Sequence, residues 1–262
     1  MKKVALGSTG IQVSRLGLGT VKFGRNQKVN YPEAFELPSD QAILELLALA
    51  QALGINLLDT APAYGSSEER LGQLLKGQRD KWILATKAGE EFQDGNSFYD
   101  FKPAALVHSI ERSLQRLQTD YLDIVLVHSN GDDKKIIEEN AVFETLAVLK
   151  QAGKIRAFGM STKTVEGGLL TLQNADVAMV MHNPVYTKEQ AVIAAAAAQH
   201  KAIFVKKAFA SGHLQKIPGA DPVKSALDFI LAEPGVTSII LGTLNHVHLK
   251  YNVDCANALT AL

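Results

Sequence analysis

Short, mostly apolar runs recur along this chain: LGLG at residues 16–19, INLLD at 55–59, WILATK at 82–87, DIVLVH at 123–128, KIRAFGMS at 154–161, VAMVMH at 177–182, IFVKK at 203–207 and TSIIL at 237–241. Runs of this length and character mark strands buried on both faces. Between them the apolar residues change period. Ile43, Leu46, Leu47, Ala50 and Leu53 fall at helical spacing, as do Leu106, Ile110, Leu114 and Leu117. Val142, Phe143, Leu146 and Leu149 mark a further helix, and Val223, Leu227, Ile230 and Leu231 another.

Punctuation supports this division. Ser39 or Asp40 can cap the first long helix and Gly54 can end it; Asp221 followed by Pro222 opens a later one. Residues 189–199 include five consecutive alanines, and a last helix is predicted near 247–259. The segment 164–173 predicts only a weak helix, because Gly167 and Gly168 interrupt it. Two stretches read as long loops: 21–38, and the aromatic segment EEFQDGNSFYDF after Gly89. At the start, residues 4–6 and 11–13 flank Gly7-Ser8-Thr9-Gly10 and predict a small hairpin.

Strand and helix thus alternate eight times in units of about 30 residues, which predicts a (β/α)8 TIM barrel as one domain over 1–262. A doubly wound sheet would carry G-x-G-x-x-G after its first strand; LGLGT has two of those glycines and lacks the third.

Composition narrows the function. Lys plus Arg and Asp plus Glu are both 27, so no broad charge footprint for nucleic acid or anionic lipid is expected. The run LLALAQALG is too short and too interrupted to span a membrane, and the residues after Met1-Lys2-Lys3 lack the apolar stretch of a signal peptide. The single cysteine, Cys255, excludes an internal disulfide and any cysteine-rich zinc site. Neither a metal nor a membrane is expected, and a cytoplasmic setting fits.

Four polar residues stand at strand ends or in the loops beyond them: Asp59, Tyr64, Lys87 and His128. In a barrel those points ring one opening. Their chemistry is complementary. A phenol ordinarily holds its proton to about pH 10. A nearby ammonium favours the phenolate, a carboxylate can hold that ammonium, and an imidazole can orient a carbonyl or share the proton. Such a group can protonate a carbonyl oxygen while hydride arrives at carbon.

With GLGTVKFG, LLDTAPAYGSSEERLG, ATKAG, DIVLVH and GKIRAFGMS in this order, the chain resembles the aldo-keto reductases over essentially its full length. The resemblance implies a (β/α)8 barrel using NADPH, or alternatively NADH, to reduce an aldehyde or ketone to an alcohol, or to run the reverse oxidation. It implies Tyr64 as general acid, Lys87 as the group lowering its pKa, Asp59 as the residue fixing Lys87, and His128 as the group orienting the carbonyl. It places Gly19, Thr20 and Ser161 on the cofactor, Gly212 and Leu214 at its pyrophosphate, and Gly242, Thr243, His248 and Asn252 at its adenosine end.

Three positions depart from the family pattern. Thr162 stands for an asparagine and Met179 for a glutamine. Lys206 or Lys207 stands where an aromatic stacks on nicotinamide. The chain stops at Leu262, which by resemblance implies an open site shaped by 21–38 and by 92–101, with Phe98, Tyr99 and Phe101 either walling the substrate or packing the loop down. The partner expected is a small carbonyl or alcohol, not a nucleic acid; the oligomeric state stays open, a monomer included. The alternatives are proton-moving isomerase or lyase chemistry, and a barrel that senses nicotinamide redox state in a regulatory role.

Overall fold

Inward and outward positions alternate along the strands, and this parity organises the molecule. The computed structural model describes residues 1–259. Eight parallel strands close into a barrel in sequence order: Leu16–Gly19, Leu57–Asp59, Ile83–Ala88, Leu122–His128, Ile155–Ser161, Val177–Met181, Ala202–Lys206 and Val236–Leu241. Leu57, Ala85, Ile124, Leu126, Ala157, Val177, Met179, Ala202 and Phe204 fill the barrel interior. Alternate residues such as Leu58, Leu84, Val125, Val127, Ala178, Val180, Ile203 and Val205 point outward to the helices. The predicted hairpin forms from Lys3–Ala5 and Gln12–Ser14, and Leu6, Ile11 and Val13 join the inner cluster, plugging one end.

The helices follow the predicted apolar stripes. Asp40–Ala52 buries Ile43, Leu46, Leu47 and Ala50, and Ser39 rather than Asp40 is its cap, accepting from Ala42 N at 3.2 Å. Asp221 caps Pro222–Leu231 through Lys224 N at 3.0 Å. His246–Leu259 packs against that helix. Among the described residues no helix is long and apolar enough to cross a membrane.

Three expectations need correction. The segment 164–173 is not weak: Val165–Asn174 is a regular helix capped by Thr164. A side chain on Gly167 would lie 2.1 Å from Asp133 Cβ, and one on Gly168 would lie 2.6 Å from Val192, so close packing requires both glycines. The stretch after Gly89 is a hairpin, not a loop: Glu90–Gln93 pairs with Asn96–Tyr99. The long segment 21–38 opens with a helical turn, Val21–Gly24, and an unpredicted helix covers Asp133–Glu139.

Candidate active site

Continuing the inner parity of each strand by one step reaches its polar end. Leu57 leads to Asp59, Ala85 to Lys87, Leu126 to His128 and Phe204 to Lys206; a second step, past Gly159, takes Ala157 to Ser161. Register keeps these ends level, because His128 and Met179 both pair with Ser161, and Met181 pairs with Lys206. The result is a polar ring on an apolar barrel core. It lines a cavity of about 430 Å³ with Asp59, Tyr64, Lys87, His128, Ser161, Thr162, Met179, Glu189 and Lys206 in its wall.

Lys87 is 1% exposed and bonds Asp59 Oδ1 at 2.7 Å and Thr60 O at 2.9 Å. Its ammonium lies 4.6 Å from the Tyr64 ring centroid. Tyr64 Oη reaches Asp59 Oδ2 at 3.4 Å. A close backbone contact sets the height of Tyr64. Gly65, at φ +61°, faces Gly24: a Cβ on Gly24 would lie 2.4 Å from Tyr64 O, and one on Gly65 would lie 2.1 Å from Gly24 O. Burial, then the charge of Asp59, with Tyr31 and Glu90 adding, holds the Tyr64 phenol well above its usual range. The resemblance implied a lowering by Lys87. The net direction here is upward, because Asp59 matches the Lys87 charge and burial decides.

His128 Nδ1 lies 2.7 Å from Glu90 Oε2, with the N–H bent away from that line. Glu90 opens the hairpin and shares a register position with Tyr99. Burial would raise the Glu90 carboxyl, but His128, Ser97 and Tyr99 bring it down to about 2. For His128 burial outweighs Glu90 and moves the imidazole below its usual value, with Lys87 and Lys206 acting in the same direction as burial.

Of the two lysines left open by sequence, Lys206 enters the ring: its Nζ donates to Ser161 Oγ at 2.8 Å and to Thr162 O at 2.7 Å. Lys207 is exposed at φ +56° and borders the opening. A second cavity of about 800 Å³ shares Tyr64, His128, Lys207 and Gly242 with the first and runs outward past Gly212, Leu214, Thr243, His248 and Asn252. Gly19 borders the inner cavity. Thr20 borders neither: its fully buried hydroxyl bonds Asp59 O at 3.0 Å and Ser67 Oγ at 2.8 Å, so it supports the floor beneath the site.

The range 15–216, which holds all four members of the Tyr–Lys–Asp–His ring, is matched by the Aldo/keto reductase family model. The chain belongs to the aldo/keto reductase family. The PA4992 protein of Pseudomonas aeruginosa, a solved structure, is 50% identical and superposes with a TM-score of 0.89 over 98% of this chain and 95% of that one. The aldo-keto reductase YhdN of Bacillus subtilis is 40% identical over 170 residues, covering 63% of this chain and 48% of YhdN. The NADH-specific methylglyoxal reductase of Escherichia coli is 37% identical over 175 residues, covering 61% of this chain and 51% of that enzyme. These two matches thus span about half the length of each curated relative.

Several groups at this family site escape a reading of the sequence. Glu90 hides in a segment read as loop. Phe98, Tyr99 and Phe101 border neither cavity: Phe101 packs under Gly89, while Phe98 and Tyr99 are exposed. Asp133 is a buried clamp, accepting Lys163 N at 2.8 Å and Thr164 N at 2.7 Å, which sets the turn after Ser161 and Thr162. Glu189 is 1% exposed and accepts Met181 N at 2.7 Å. Only the Asp94-Gly95 dipeptide before Asn96 offered a sequence signal.

Proposed function

We propose that this chain is an NAD(P)H-dependent reductase of small aldehydes or ketones, able to run the reverse oxidation, with NADPH preferred to NADH. The observation that carries this reading is Tyr64: a half-buried phenol whose proton is held by its surroundings, at the wall of a cavity shared with His128 and Lys87. A developing alkoxide is far more basic than any phenolate, so such a phenol still delivers its proton when the carbonyl carbon is attacked.

The residues present suit a nicotinamide. Thr162 Oγ1 is buried without a hydrogen-bond partner, and Ser161, whose Oγ accepts from Lys206, retains its own proton to donate. A carboxamide is donor and acceptor at once and would satisfy both. When bound, the cofactor supplies the hydride. Tyr64 supplies the proton to the carbonyl oxygen. His128 orients that oxygen, and Glu90 braces His128. Lys87, tied to Asp59 and Thr60, keeps a cation beside the ring when Tyr64 gives up its proton. The apolar wall at Ile240 and Met179 limits water around the reacting carbon.

The test is oxidation of NADPH and of NADH against a panel of aldehydes and ketones, with the alcohol product quantified. Equal molar loss of cofactor and gain of alcohol, abolished in Tyr64→Phe, is expected. Tight cofactor binding with no carbonyl turned over would sink the reductase reading and favour a redox-sensing barrel.

A further inference from the structure

We infer that Lys206 sets the redox preference of this site, its ammonium disfavouring a cationic, oxidised nicotinamide relative to the neutral, reduced one. This rests on the reductase reading above. The carbonyl must sit against Tyr64 and His128, which occupy one wall of the inner cavity. Next in register to His128 the lining continues with Ser161, Thr162, Met179 and Lys206, and a nicotinamide held by Ser161 and Thr162 would lie beside Lys206, which bonds both residues. Lys206 is the only one of those four that carries a charge. Two of its three protons are committed, to Ser161 Oγ and Thr162 O, and the third is left for the cavity.

The charge is not cancelled locally. No carboxylate lies within ion-pair distance of Lys206 among the described residues. Glu189 is the strongest opposing influence; its Oε2 is engaged by Met181 N and its Oε1 is buried without a hydrogen-bond partner, so it acts on Lys206 from beyond ion-pair distance. The other charged or titratable groups facing Lys206 are Lys163, Lys207, Asp133 and His128; the two lysines oppose its charge and Asp133 supports it. Burial, the largest influence, brings Lys206 down to about 8. Hydride transfer changes the nicotinamide charge from zero to plus one, so a fixed cation beside the ring penalises only the oxidised form. Below about pH 8 the penalty is present; as Lys206 loses its proton it fades.

Calorimetry of NADP⁺ and NADPH binding tests this between about pH 6.5 and 9.5, on the wild type, Lys206→Met and Lys206→Arg. The readout is the ratio of the two dissociation constants, which a purely structural role would leave alone because both forms would weaken together. In the wild type that ratio should fall by roughly tenfold across the window, in favour of reduced cofactor at low pH. Lys206→Met should flatten it at the high-pH value, which assigns the titration to Lys206 rather than Glu189. Lys206→Arg should keep the bias and lose the pH step. A ratio unchanged in Lys206→Met overturns the assignment while leaving the reductase reading intact. Failure of both cofactor forms to bind the wild type overturns that reading, and this inference with it.

Discussion

His128 Nδ1 and Glu90 Oε2 meet at 2.7 Å although they come from separate elements, a barrel strand end and the hairpin that follows the neighbouring strand. A carboxylate at Nδ1 favours the tautomer with its proton there. Nε2 then gains a proton to donate only when the imidazole becomes charged. Reduction should accordingly accelerate as pH falls through the His128 titration, which burial puts below the ordinary value. Glu90 opposes that lowering. In Glu90→Leu the pKa should therefore fall further and the limb of the kcat/KM profile should move to lower pH. A limb that stays where it is would separate Glu90 from His128.

Tyr64→Phe removes one hydroxyl whose contact with Asp59 is long, 3.4 Å. Stability should change by less than about 1 kcal/mol. Carbonyl reduction should fall by about two to four orders of magnitude, the usual worth of a general acid. Calorimetric cofactor affinity should hold. Near-normal turnover in a folded Tyr64→Phe protein would remove Tyr64 as proton donor.

The Lys87–Asp59 pair is buried on both sides, at 2% and 4% side-chain exposure. Lys87→Met would strand Asp59 without its counter-ion, and breaking such a pair costs about 3–5 kcal/mol. The denaturation midpoint should drop accordingly. Adding Asp59→Leu should recover much of the loss, since the orphaned charge is gone, while leaving the protein inactive. If the double variant is as unstable as the sum of the two single ones, the pair is not energetically coupled.

The barrel and its ring were readable because parallel strands buried on both faces leave apolar runs, and inward parity then dictates which polar end faces the opening. Asp59, Lys87 and His128 needed nothing further. What sequence hid was tertiary. Gly167 and Gly168 counted against a helix by propensity, yet their missing side chains admit Asp133 and Val192. The hairpin carried a local signal that was passed over: Asp94-Gly95 adopts φ +51° and +76°, the turn that joins two strands with matching twist. Without that hairpin Glu90 had no assigned direction, and the pattern of aromatics drew attention to Phe98 and Tyr99, which are exposed and line neither cavity. The lysine ambiguity was one of register, resolved when the seventh strand ended at Lys206 and Lys207 turned out.

Cofactor choice depends on the outer groove, where Thr243, His248, Tyr251 and Asn252 meet at the end expected for adenosine. These residues lie beyond 15–216, the range matched by the family model. The groove's positive charge at this end is weak. Lys250 does not border it, and Asn245 Oδ1 already takes the N–H groups of Val247 and His248 at 2.8 and 3.2 Å, so part of the donor set at that helix start is spent. Asp221 adds a nearby carboxylate, bonded to the Tyr251 hydroxyl. A 2′-phosphate would therefore depend on the His248 side chain as a donor. The preference for NADPH over NADH should be modest and should shrink with salt, because His248 is exposed. His248→Ala should reduce the preference. Asp221→Asn keeps a helix cap, removes the opposing charge, and should tighten NADPH while leaving NADH unchanged. Dissociation constants for both cofactors in the three proteins decide it: a preference indifferent to His248→Ala takes His248 out of the account, and a clear preference for NADH means that Asp221, not His248, governs this end of the groove.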